Sequence, residues 1–245
     1  ALSRFRRDFI IVPGGTATIG LDPARAVVAG IAPEPDESPA HALELVEYAI
    51  ARREVTRAEY AEFVDATGRV SPESWGGPRP AAGTENLPVS EVSWHDAVEY
   101  AEWRSGRDGI RYRLPTEPEW EFAARGSDGR IYPWGDVWDA TRAYADQTVD
   151  APMPVDGDPT GTSDLSSVGV TGMAGNVSEW TADQFSLYPR SQYKAKAGDR
   201  DAMIVRGGRF NARPTTCRTT YRQWLPPTTK DRRVGFRLAA DPPGS

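Results

Sequence analysis

A chain of 245 residues with a net charge of −6 and modest hydrophobic content is long enough to bury a sizeable core, and its 23 Gly and 21 Pro predict many turns around few regular elements. No apolar run reaches the roughly 20 residues that a membrane-spanning helix needs, and the opening ALSRFRRDF has no hydrophobic signal core. The charge is uneven: residues 201–245 hold nine Lys and Arg against three Asp and Glu, leaving −12 on the first 200 residues, yet no nucleic-acid-binding motif accompanies the basic third, so nucleic acid is not the expected partner.

Asp8 to Gly20, DFIIVPGGTATIG, reads as two short strands around Pro13-Gly14-Gly15, a hairpin pattern. Leu21 to Ala40 lacks a period and is expected to be a surface loop. Leu43 to Ile50 is expected as a strand. Three helices are then marked by the same device, a Ser or Thr N-cap with a carboxylate three residues on: Thr56/Glu59, Ser93/Asp96 and Thr116/Glu119. The first carries Tyr60, Phe63, Val64 and Thr67 on one face and stops at Gly68. The second carries Trp94, Ala97, Val98 and Ala101 and stops near Gly106, and the third runs from Thr116 to Arg125 with Gly126 behind it.

From Gly126 to Val170 the pattern is turns, with Tyr132-Pro133-Trp134-Gly135 as an aromatic anchor and Asp150, Asp156, Asp158 and Asp164 in loops expected to face water. Ala202 to Gly207 and Arg233 to Ala239 read as core strands. No internal repeat interrupts the order, which predicts one domain over residues 1–245.

Within GMAGNVSEW, residues 172–180, two glycines three apart let the backbone turn with positive φ, Glu179 adds a charged oxygen and Trp180 ties the turn to the core. This stretch resembles the DMxGNVWEW signature of the formylglycine-generating enzyme family, also called the sulfatase-modifying-factor family. PVSEVSWHDAVEYAEW from Pro88, YRLPTEPEWEFAARG from Tyr112, YPWGD from Tyr132, VRGG from Val205 and GFRLA from Gly235 follow the family's order. The resemblance implies an α+β fold of low regular secondary structure, the formylglycine-generating-enzyme-like variant of the C-type lectin fold. It also implies at most one structural Ca²⁺, held by the carbonyls of Gly175 and Val177 and the carboxylate of Glu179, with Gly172 where a side-chain oxygen is usual.

Family members that oxidise a sulfatase cysteine use two cysteines after the GG turn, which bind copper(I). Here the first falls on Ala212 and only Cys217 keeps sulfur. One thiolate cannot supply the two-coordinate site that soft Cu(I) favours, so copper is not expected and Cys217 reads as a small buried apolar side chain. The two His, at 41 and 95, exclude a three-His metal centre. Glu117, Glu119 and Glu121 read as structural, and Arg206, Arg222 and Arg237 as partners of core carboxylates or carbonyls.

The passage from Arg209 to Arg233 is expected as an exposed binding face for a protein or a small anionic ligand. Its candidate contacts are Asn211, Arg213, Arg218, Tyr221, Trp224, Lys230, Arg232 and Arg233, since aromatics with Arg are typical interface anchors. The functional expectation is therefore a non-catalytic binding domain. Two alternatives stand beside it: an oxidoreductase or modifying factor acting on a cysteine-containing peptide, with Cys217 as its catalytic residue, and a retroelement-diversified variable binding protein, which shares the fold.

Overall fold

A computed structural model describes residues 2–145, 148, 150–156 and 164–243, so Asp158 lies outside the described residues. Five α-helices and ten short strands are present among them: α1 (Leu2–Asp8), β1 (Phe9–Val12), β2 (Gly15–Ile19), α2 (Pro23–Val28), β3 (His41–Leu45), β4 (Tyr48–Ala51), α3 (Arg57–Thr67), α4 (Trp94–Asp108), β5 (Tyr112–Arg113), α5 (Glu117–Arg125), β6 (Ser178–Gln184), β7 (Met203–Arg206), β8 (Arg222–Leu225), β9 (Val234–Gly235) and β10 (Ala239–Ala240). They form sheets of order β1-β4-β10-β5, β2-β3 and β8-β7-β6-β9.

The expected hairpin of β1 with β2 does not form. Each strand pairs instead with a later one, Val12 opposite Tyr48 and Gly15 opposite Leu45, so that β1–β2 and β3–β4 run as two long antiparallel arms in one register with a break between them. Pro13 has no N–H to offer at the break, and a Cβ on Gly14 would stand 2.7 Å from the Leu45 carbonyl oxygen. The same break splits the expected strand 43–50 into two. Arg233 to Ala239 likewise divides: β9 lies parallel to β6, β10 lies between β4 and β5, and Phe236–Leu238 carries the chain from one sheet to the other.

All three N-caps close reciprocally. Thr56 Oγ1 accepts from Glu59 N while Thr56 N donates to Glu59 Oε2, and the same exchange joins Ser93 to Asp96 and Thr116 to Glu119. Helix α4 runs past Gly106 and stops at Gly109, whose φ of 67° puts the chain in the left-handed region that ends helices. The buried face of α4 is Ala97, Tyr100, Ala101 and Arg104, leaving Trp94 and Val98 only partly covered. Tyr60, Tyr100 and Phe236 meet at ring separations of 5.4 to 6.4 Å in the main core, beside the fully buried Trp180.

A second feature of the interior is ionic. Glu121 accepts from Arg125 Nη1 at 2.8 Å and Arg206 Nη2 at 2.6 Å, and Glu117 accepts from Arg222 Nε and Nη2 at 2.7 and 2.9 Å, with all these side chains buried. The structural reading of Glu117 and Glu121 and of Arg206 and Arg222 therefore agrees with their geometry. No helix among the described residues is long and apolar enough to cross a membrane.

Candidate functional site

The turn 172–180 is built over three buried carboxylates. Asp164 accepts from the N–H groups of Gly172 and Ala174, both at 2.8 Å; it is fully buried, and does not face water as the loop pattern suggested. Asn176 sits at φ 61°, donating from Nδ2 to Glu54 Oε1 at 3.0 Å and accepting at Oδ1 from Met153 N at 2.9 Å. Glu179 takes Arg237 Nε and Nη2 at 2.6 and 2.7 Å and the Trp120 indole N–H at 2.9 Å. Arg237 donates further to the carbonyls of Ala51 and Thr171. Burial pushes the Glu54 carboxyl up to about 8, against the opposing field of Arg237.

This arrangement bears directly on calcium. A hard cation at Gly175, Val177 and Glu179 needs a carboxylate it can hold, and both oxygens of Glu179 are taken by a fully buried guanidinium. The space beside Gly172, where a side-chain oxygen would help, is filled by the Glu54 carboxylate. While Arg237 is in place, these residues do not fit a resident calcium ion.

Cys217 is fully buried and is the one cysteine of the chain. Its sulfur lies so close to the backbone of Gly208 that a Cβ there would fall on it. Burial, with Asp164 adding, pushes the thiol up to about 12, so with no cation bound beside it the protonated form is favoured at neutral pH. Ala212, at the other family cysteine position, packs in the same apolar cluster with Ile131, Tyr132 and Ala174.

The expected face at 209–233 is not one patch of free cations. Arg218 is buried in an ion pair with Glu37, whose other oxygen accepts from Thr220, and this corrects its placement on the surface. Lys230 pairs with Asp96 at 2.9 Å, Arg232 with Asp150 at 3.1 Å through Nη1, and Arg233 with Asp231 at 2.6 Å. Trp224 donates to Asp199 at 3.0 Å and packs on Phe185 with ring centroids 4.2 Å apart. Tyr221 is half-buried under the guanidinium of Arg218. Asn211, half-exposed, and Arg213, exposed, flank Ala212 at the start of a short 3-10 turn.

What the residue pattern did not show is a cleft of about 330 Å³ beside the same cluster, lined by Arg25, Ile31, Tyr132, Asp136, Val137 and Trp138. Tyr132 stacks on Trp134 at 5.4 Å and meets Trp138 edge-on at 5.2 Å. Arg25 Nη2 contacts both oxygens of Asp136 at 2.8 Å, fixing one wall. Thr219 N donates to Ile131 O at 2.8 Å, which holds the turn that follows Cys217 and Arg218 against this wall. Arg25 lies on α2, inside the stretch expected to be loop; Asp22 before Pro23, an N-cap with Pro at the first helical position, was the available signal.

A family model described as the sulfatase-modifying factor enzyme 1-like domain matches residues 3–242. The chain belongs to this family. A formylglycine-generating enzyme of the family's kind from Streptomyces coelicolor is 30% identical, over 98% of this chain and 91% of its own. The protein named inactive C-alpha-formylglycine-generating enzyme 2 of Bos taurus is 34% identical over 64% of this chain and 52% of that one. PvdO from Pseudomonas aeruginosa superposes with a TM-score of 0.76 at 25% identity, covering 96% of this chain and 94% of that one. The architecture is thus the α+β fold of the sulfatase-modifying-factor family.

Proposed function

We propose that this member of the family is a non-catalytic binding domain, and that it holds a protein segment carrying an apolar or aromatic side chain beside an acid. The observation that carries this reading is the state of the sulfur: Ala212 replaces one partner, and Cys217 is enclosed as a neutral thiol. The cleft lined by Ile31, Tyr132 and Trp138 adjoins these two positions and offers preformed aromatic walls. Arg213, exposed one residue from Ala212, supplies the cation for the acid.

Two measurements test it. Incubation with Cu(I), oxygen and a cysteine peptide of the sulfatase motif gives no aldehyde by mass spectrometry; clear turnover overturns the proposal. Selection of a displayed random-peptide library on the protein enriches segments with an aromatic next to Asp or Glu, and Trp138→Ala abolishes the enrichment. Enrichment indifferent to Trp138→Ala removes the cleft from the reading.

A further inference from the structure

We propose that the groove between α4 and β5 is a second binding site, for a small monocarboxylate with an apolar body such as an aryl-alkyl or medium-chain acid. The groove has a volume of about 460 Å³, within the range of small-ligand sites. Its apolar floor is Trp94, Val98, Leu114 and Ala182. Trp94 and Val98, four apart on one side of α4, are the positions the core leaves partly uncovered. The Trp94 indole is fixed by its N–H bond to the Thr181 carbonyl at 2.9 Å, so this wall is set before any ligand arrives.

The charged groups narrow the ligand further. Strand β5 is an edge strand, paired with β10, and an open edge ordinarily invites another strand. Here Ser105 Oγ accepts from Tyr112 N at 2.8 Å, while its own proton goes to Ala101 O at 2.7 Å, so the edge N–H that an incoming strand would pair with is already taken. Recognition must then come from apolar burial and a terminal charge. Arg111 lines the groove with its side chain 83% exposed, and its salt bridge among the described residues is a long one, 3.7 Å to Asp241, which Arg113 shares at 3.5 Å. Arg113 is already committed to both oxygens of Glu119 at 2.6 and 2.7 Å. Arg111 therefore has the forked donors to give a carboxylate. Glu102, on the helix wall, opposes a second negative charge, which favours a monoanion over a phosphate or dicarboxylate.

The test uses the whole chain, with 4-phenylbutyrate as probe and 4-phenylbutanol as its uncharged counterpart, followed by calorimetry and amide NMR shifts. The acid binds saturably, with shifts at Trp94, Val98 and Ala182, and the alcohol binds about tenfold more weakly. Arg111→Gln weakens the acid about tenfold while leaving the alcohol unchanged. Val98→Trp, checked for an unaltered circular dichroism melt, blocks both. A free acid and a protein carboxy terminus offer the same chemistry, and N-acetyl-Leu-Phe against its carboxamide separates them: tighter binding of the peptide acid than of 4-phenylbutyrate assigns the site to a chain terminus, the reverse to a free acid. Absence of saturable binding by either acid, equal binding of acid and alcohol, or indifference to Arg111→Gln overturns the proposal.

Discussion

The carboxylate of Glu54 occupies the space that a side chain on residue 172 would need: a Cβ built on Gly172 would stand 2.6 Å from Glu54 Oε2. Gly172 also adopts φ 75°, where L side chains are strained. The two positions are therefore coupled. Gly172→Ala is expected to cost on the order of 2–4 kcal/mol in urea unfolding. Combined with Glu54→Ala the loss is expected to be less than additive, because the second change vacates the space that the first one needs. Full additivity would show that the clash is relieved elsewhere.

Glu54 also predicts a pH dependence. Its folded pKa of about 8 lies above the ordinary carboxylate value, so the folded state binds a proton that the unfolded state has lost between roughly pH 4.5 and 8. The stability it contributes is full below that window and is lost as pH rises through it. Glu54→Gln keeps an acceptor for Asn176 and is expected to flatten the stability profile across the window, becoming the more stable form above pH 8. Parallel denaturation profiles for the two proteins from pH 5 to about 9 would refute this.

Arg237 stands where the resemblance would put a metal's charge. Arg237→Met leaves Glu179 buried without a cation and is expected to cost roughly 3–5 kcal/mol. For the parent protein, added calcium and EDTA are expected to give the same melting midpoint, since the guanidinium already fills the role. A rise in midpoint with calcium that saturates would restore the expected ion site.

Arg218 and Arg232 offer a contrast within one passage. Arg218→Ala strands the buried Glu37 and is expected to lower stability by about 3 kcal/mol or more. Arg232→Ala removes a solvent-exposed partner of Asp150 and leaves the midpoint where it is. Similar losses in the two variants would mean that Arg218 is not internal.

The thiol provides a chemical check. Cys217 is expected to stay unmodified by a disulfide reagent in the native protein at pH 7 and to react fully after denaturation. Rapid native labelling would contradict the enclosed state described above.

The elements legible in the sequence are those decided within a few residues. The Thr56, Ser93 and Thr116 caps need partners three positions away, and all three close as read. The Arg237 to Glu179 pairing was legible in kind, because a buried guanidinium must find an acceptor, though not in its consequence for calcium. Partners far apart were not legible. Glu37 lies 181 positions from Arg218, so nothing near Arg218 distinguishes it from the exposed Arg213. The cleft joins residues near 25–31 to 132–138, and Asp164 is buried by a turn that begins eight residues later. Gly106 misled for a different reason: a glycine on the open side of a helix costs little enough that the chain continues to the next one.

The bidentate lock of Arg237 on Glu179 sets an order on the birth of this protein. A nascent chain carries Glu179 for some time before residue 237 is made, and until then Glu179 lacks the bidentate cation that the finished fold gives it. The buried centre is thus complete only once the segment between β9 and β10 has been made.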